Sequence, residues 1–218
     1  MSPVNAIAPG TRDMLAEAAA WRLLGLLFER PRDGWWRQAG DLSRELGDPE
    51  LTAAVDAARE EASEGLYLAL LGPGGVVSPR EVSYRGMEDP GRILADLQAF
   101  YQAFAFNPRT EEAADHLSVE TGFLGYLRFK EAFARAQGQD EKAAIAADAA
   151  SRFRTDHLAA YAQPFAERAE KTGVRYLTLA ARALAQRVPP AQRGAEAQES
   201  LPLVCVADCQ LTCGHDED

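Results

Sequence analysis

The chain has 218 residues, 47% of them hydrophobic and 26% charged, with 33 acidic against 23 basic side chains and a formal net charge of −10. This composition excludes disorder throughout, and so acidic a protein is poorly matched to nucleic-acid phosphates and better matched to a basic peptide. No apolar run approaches the roughly 20 residues that span a bilayer, Met1–Gly10 lacks the basic start and apolar core of a leader, and all three cysteines lie in the last fourteen residues, so a cytoplasmic protein without membrane insertion is expected.

In chain order, Thr11–Glu29 places Leu15, Ala19, Leu23, Leu26 and Leu27 at helical intervals, and Pro31 ends that pattern. Trp35 and Trp36 open a second helix through Leu46, closed by Gly47 and Pro49. Their indoles either pack in the core or face a groove. A third helix is expected from Asp48 or Pro49 to about Leu71, with Leu51, Val55, Ala58, Leu66 and Leu70 inward. The stretch from Gly72 to Pro90 has no period and is rich in Gly and Pro, which makes it a long loop that divides the chain. A fourth helix, about Gly91–Phe106, carries the aromatic stripe Leu94, Leu97, Phe100, Tyr101 and Phe104.

Glu111–Arg135 has the clearest helical period, with Leu117, Phe123, Leu124 and Leu127 on the apolar side. Asp115 stands where an N-cap for Ser118 belongs, and His116 and Glu120 fall one turn apart, as in a binding groove or in an ordinary capped helix. Asp140–Tyr161 forms the next helix, and Pro164 begins a last region to Val188, bent at Thr172–Gly173. No strand alternation occurs. The expected fold is all-α, six to eight helices in two lobes: one domain over residues 1–188, with lobes of about 11–71 and 91–188 joined by the 72–90 loop. The polar residues 189–218 read as a flexible tail outside it.

That tail carries Cys205, Cys209, Cys213 and His215, a donor set that suits zinc or an iron–sulfur centre, although structural zinc sites favour two separated pairs; the alternative is incidental thiols. No cofactor is otherwise required. Asp115 and His116 are sequence neighbours and do not face each other on a helix, no Ser or Cys sits in a nucleophile elbow, and no Glu-x-x-His pair exists, so catalysis is not expected.

Three stretches in this order resemble the TorD/DmsD family of chaperones for molybdenum-containing oxidoreductases: LYLALLGPGGVVSPREVSY (66–84), LADLQAFYQAFAF (94–106) and ADHLSVETGFLGYLRFKEAFA (114–134). The wording of the loop and of Lys130-Glu131-Ala132 is most similar to members serving dimethylsulfide and ethylbenzene dehydrogenase or perchlorate and selenate reductase systems. Leu71 replaces the family's aromatic, Thr121-Gly122 replaces an expected carboxylate, and Tyr161 replaces a tryptophan. The resemblance implies a multi-helical TorD-like bundle that binds the twin-arginine signal peptide, or the apo catalytic subunit, of a molybdenum enzyme. It implies a binding surface at Asp115, His116, Leu117, Tyr67, Leu70, Gly72, Pro73, Ser83 and Tyr84. Two guanidiniums followed by an apolar helix need carboxylates beside an apolar groove, for which Glu120, Glu81, Glu88 and Asp115 are candidates, with Leu66, Leu70, Leu117, Phe100, Phe104 and Phe123 as the apolar part. His116 either meets a peptide carbonyl or ties the loop to the helix. A monomer is expected, with domain exchange through the 72–90 hinge the alternative. A helical scaffold or a metal-binding regulator using the tail is the competing reading.

Overall fold

In the computed structural model, which describes residues 9–190, a long and largely apolar helix lies at the centre. Helix α1 (Pro9–Leu27) buries Trp21, Leu23, Leu24, Leu26 and Leu27, with Phe28 just beyond it. A helix apolar around most of its girth has to be surrounded. It packs most extensively against α6 (Leu117–Ala136), and also against α2 (Trp35–Leu46), α3 (Pro49–Glu61) and α9 (Arg175–Arg187). Full burial of each large side chain contributes about 1.5–3 kcal/mol, so this central helix is a large contributor to apolar stabilisation.

The α1–α6 crossing is close because both helices carry glycine there. A Cβ on Gly125 would lie 2.9 Å from the Ala18 carbonyl oxygen, and one on Gly25 would lie 3.1 Å from that of Ser118. Only a residue without a side chain lets the backbones meet.

Helices α4 (Glu64–Leu70), α5 (Pro90–Ala103), α7 (Asp140–Phe153) and α8 (Ala159–Glu170) complete nine α-helical segments among the described residues. A π-helical turn, Arg154–Leu158, joins α7 to α8 in one rod, so the segments make eight helices. The fold is all-α, and its only strand-like pairing among the described residues is a single bridge between Arg80 and His116. Helix α3 lies against α9, and helices from before and after the 72–90 loop share one apolar core.

Three boundaries differ from those the sequence suggests. The expected helix from Pro49 to Leu71 divides at Ala62, which is extended, because the Ser63 hydroxyl accepts the Leu66 N–H and starts α4 afresh. Pro164 does not begin a helix; it lies inside α8. Proline inside a helix costs about 3 kcal/mol. Here Phe165, Tyr161, Ala162 and Ala169 are fully buried on the same segment, and Phe165 meets the Phe28 ring edge-on at 5.4 Å, which outweighs that cost. The third difference, an N-cap of α6 at His116 rather than at Asp115, belongs to the site.

Candidate functional site

The 72–90 loop is anchored on the start of α6. It reverses sharply after α4, where a Cβ on Gly75 would fall 2.4 Å from the Leu70 carbonyl oxygen. It then runs beside Asp115–Leu117: Leu117 N–H donates to the Pro79 carbonyl at 2.8 Å and Glu81 N–H to the Asp115 carbonyl at 2.9 Å. Asp115 is fully buried and its carboxylate faces the loop, accepting from Arg80 Nε at 2.5 Å and from the Val82 N–H at 3.4 Å. Asp115 is therefore not the N-cap of α6. That position is held by His116, whose Nδ1 accepts the Ser118 N–H at 3.2 Å, while the Asp115 carboxylate takes the charged partner one residue earlier.

With Nδ1 accepting, His116 carries its proton on Nε2, 3.3 Å from the Tyr67 hydroxyl, which donates to Glu112 at 2.8 Å. The imidazole, the α4 phenol and a carboxylate at the edge of the fold form one chain of hydrogen bonds. Burial lowers the His116 pKa to about 4, against the upward pull of Glu112. The backbone of residues 115–117 and the Asp115 side chain tie down the loop; the His116 ring ties down α4.

Glu81 and Glu120 are not rim carboxylates of an open groove, since both are fully buried. Glu81 sits in a 3-10 turn (Glu81–Ser83) and accepts from Arg85 Nε at 2.7 Å and His157 Nδ1 at 3.1 Å. Neither Glu120 oxygen makes a well-formed hydrogen bond, although the Tyr161 hydroxyl lies beside it; burial, and then the Glu81 charge, push its carboxyl well above the usual range against the pull of Tyr161, and favour the neutral acid. Leu117, Phe123, Tyr67 and Leu70 are core residues, and Phe100, Phe104 and Leu66 pack against that core half-buried, so none of them lines an open apolar cleft by the loop. Ser83 and Pro73 are exposed, Gly72 is buried, and Glu88 is exposed 3.6 Å from Arg85. Tyr84 donates to the Ser78 carbonyl at 2.8 Å, with Arg168 over its ring at 4.5 Å and Tyr161 at 5.5 Å. The structure brings Asp115 and His116 together with the loop as expected, but joins them in direct contact without a cleft between them.

The concavity lies on another side of α6. A groove of about 690 Å³ runs between α1 (Leu15, Ala18, Ala19), α6 (Ser118, Gly122, Tyr126, Phe129) and the 106–110 linker, largely apolar, with Glu29, Glu45, Arg22 and Arg109 also in its lining and Arg22 3.7 Å from Glu29. Phe129 continues onto an exposed stacked partner, Phe133, one turn on. The linker wall is fixed by Tyr126 Oη and Lys130 Nζ, both donating to the Phe104 carbonyl at 3.0 Å. The sequence signal was a stripe at spacings of four, three and four, Ser118-Gly122-Gly125-Phe129, small where the core stripe is large. Of the two indoles, Trp35 is buried and donates to the Leu26 carbonyl at 2.7 Å, whereas Trp36 is partly exposed beside a smaller polar concavity. Cys205, Cys209, Cys213 and His215 lie outside the described residues. Among the described residues no helix is long and apolar enough to cross a membrane, and no group of three His, Cys, Asp or Glu is placed to hold a metal ion.

The nitrate reductase delta subunit family matches residues 39–167, more than half the chain. The chlorate reductase assembly chaperone protein of Ideonella dechloratans is 32% identical over 167 residues, covering 74% of this chain and 80% of that one. A crystal structure from Archaeoglobus fulgidus, described as a redox enzyme maturation protein, superposes with a TM-score of 0.52 at 16% identity, covering 78% of this chain and 92% of that one, a likeness of fold. The chain belongs to the nitrate reductase delta subunit family, the TorD/DmsD-like group of molybdoenzyme maturation chaperones that its Leu66–Tyr84 and Ala114–Ala134 stretches resemble.

Proposed function

We propose that this chain is the dedicated chaperone of a molybdenum-containing reductase or dehydrogenase catalytic subunit, and that it holds the apolar run of that subunit's twin-arginine signal in the groove between α1 and α6 until the cofactor is inserted. The observation that carries this reading is the groove itself: open, mostly apolar and continuous with the exposed Phe129–Phe133 pair, on a chain of this family. An amphipathic helix laid into such a groove buries its apolar face at little cost in ordering the receptor, because α1 and α6 are held rigidly at their glycine crossing. The acidic balance of the chain favours a cationic peptide. Asp115 and His116 contribute by fixing the loop and the start of α6, and make no direct contact with the peptide. The test is calorimetric titration with a synthetic peptide of two adjacent arginines followed by a leucine- and alanine-rich run. Binding is expected, and it is expected to be lost when the run is replaced by serines. Equal affinity for both peptides overturns the proposal.

A further inference from the structure

Glu81 and Glu120 are two wholly buried carboxylates, and the one guanidinium beside them, that of Arg85, is bonded to Glu81 alone. Arg85 contacts Glu81 through Nε and a second nitrogen at 2.5 Å, donates to the Asp156 carbonyl in the π-helical turn, and lies 3.6 Å from Glu88. Other polar atoms in this region find no partner: both Glu120 oxygens, the Tyr161 hydroxyl and His157 Nε2, the last with Asp96 at 3.5 Å but outside hydrogen-bond geometry. A buried polar atom left unpaired costs about 1–3 kcal/mol, so the cluster is expensive as mere structure. The cluster offers a planar cation more acceptors than Arg85 uses.

The occupant is tethered. Arg85 comes from four residues along the same short turn as Glu81, remains 18% exposed while both carboxylates are enclosed, and is followed by Gly86 at φ 62° and the fully exposed Met87.

We propose that Glu81, Glu120, His157 and the Asp156 carbonyl form a guanidinium-binding site, filled by Arg85 in the free chain and taken over by an arginine of a protein partner as residues 85–89 swing outward. An arginine without Arg85's tether reaches both carboxylates, and Glu120, which has only the Tyr161 hydroxyl beside it, gains a cationic partner. That the partner is the client subunit rests on the chaperone reading; the guanidinium chemistry does not.

The experiment follows thermal unfolding of Arg85→Ala in millimolar guanidinium chloride against sodium chloride of equal ionic strength. Guanidinium is expected to raise the melting temperature of Arg85→Ala saturably, as a ligand of the folded state does, and to leave the wild type unstabilised. Adding Glu120→Gln is expected to raise the half-saturating concentration by roughly tenfold. Equal response to the two salts, or no effect of Glu120→Gln, overturns the proposal. If Arg85→Ala does not fold, the outcome is read on the wild type and Glu120→Gln with N-acetyl-arginine amide and its uncharged citrulline analogue. Discrimination between them by the wild type, lost in Glu120→Gln, supports the site, and no discrimination in the wild type overturns it. None of these measurements involves the α1–α6 groove, so the signal-peptide titration and this one fail independently.

Discussion

Replacing Gly122 with leucine separates the groove from the fold. Gly122 lies in the middle of α6 on the groove wall, and a Cβ there meets nothing within 4 Å, in contrast to Gly125 one turn further on. Glycine inside a helix is about 0.8–1 kcal/mol worse than alanine, and leucine is nearly as good as alanine, so the variant gains up to about 1 kcal/mol of stability. For a domain of this size that is roughly a 2–4 °C rise in melting temperature. The new side chain occupies the space that an apolar anchor of the peptide would fill, worth about 1.5–3 kcal/mol, so affinity for the arginine-leucine peptide should fall roughly 10- to 100-fold. Gly122→Ala is the control, with the same gain in stability and only a few-fold loss of affinity. Circular dichroism melts and titration calorimetry on the three proteins decide the matter. A Gly122→Leu protein that is as stable as expected and binds as tightly as the wild type refutes the placement of the peptide in this groove.

Further perturbations test the surrounding structure. Gly125→Val drives a side chain into the Ala18 carbonyl and the Arg22 N–H, at 2.9 and 3.2 Å from its Cβ, and should cost roughly 1–3 kcal/mol in urea unfolding despite its better helix propensity. Asp115→Ala strips the Val82 N–H and Arg80 of their buried acceptor and should destabilise by about 1–3 kcal/mol, with peptide affinity preserved in the protein that remains folded. His116 is held at a pKa of about 4 against a free value near 6.5, so its contribution is fully present above about pH 6.5 and is lost as the pH falls toward 4, roughly 3 kcal/mol in all. His116→Asn keeps a capping oxygen but does not titrate, and its stability should fall less than the wild type's over that window. Glu120 has the opposite sign: its raised pKa makes its contribution fullest below the free carboxyl value of about 4.3 and lost as pH rises, so Glu120→Gln should gain on the wild type as the pH is raised above that value.

Much of the helix order was legible because it rests on local chemistry. Gly47, in the left-handed region with its N–H on the Ser43 carbonyl, ends α2 where the Gly–Pro stop signal indicates, and Asp89 caps α5 by accepting the Gly91 N–H. The misplaced boundaries are those where two local signals compete or packing overrides one. Ser63 supplies a new N-cap inside an unbroken apolar pattern, and Pro164 is retained in α8 by the buried face around Phe165. Asp115 and His116 both offer acceptors to the first turn of α6. Only the position of Arg80, thirty-five residues earlier, decides which is used, and no local pattern carries that information.

The carboxylates and the groove are hidden in the sequence for a common reason, which is that α6 has more than an apolar and a polar side. Glu120 is three residues after Leu117 and four before Leu124, so it occupies the middle of the core stripe, and a carboxylate there is enclosed on arrival in the fold. Ser118, Gly122, Gly125 and Phe129 fall on a separate stripe; Gly125 admits α1 to backbone contact, while Gly122 and Ser118, too short to fill the space beside that crossing, leave the groove open. The same close approach that brings α1 against Gly125 therefore creates the concavity one turn away, and the rigidity of the crossing and the openness of the groove have one cause. A variant that separates the helices should lose both together, whereas filling the space at Gly122 should close the groove and leave the crossing intact.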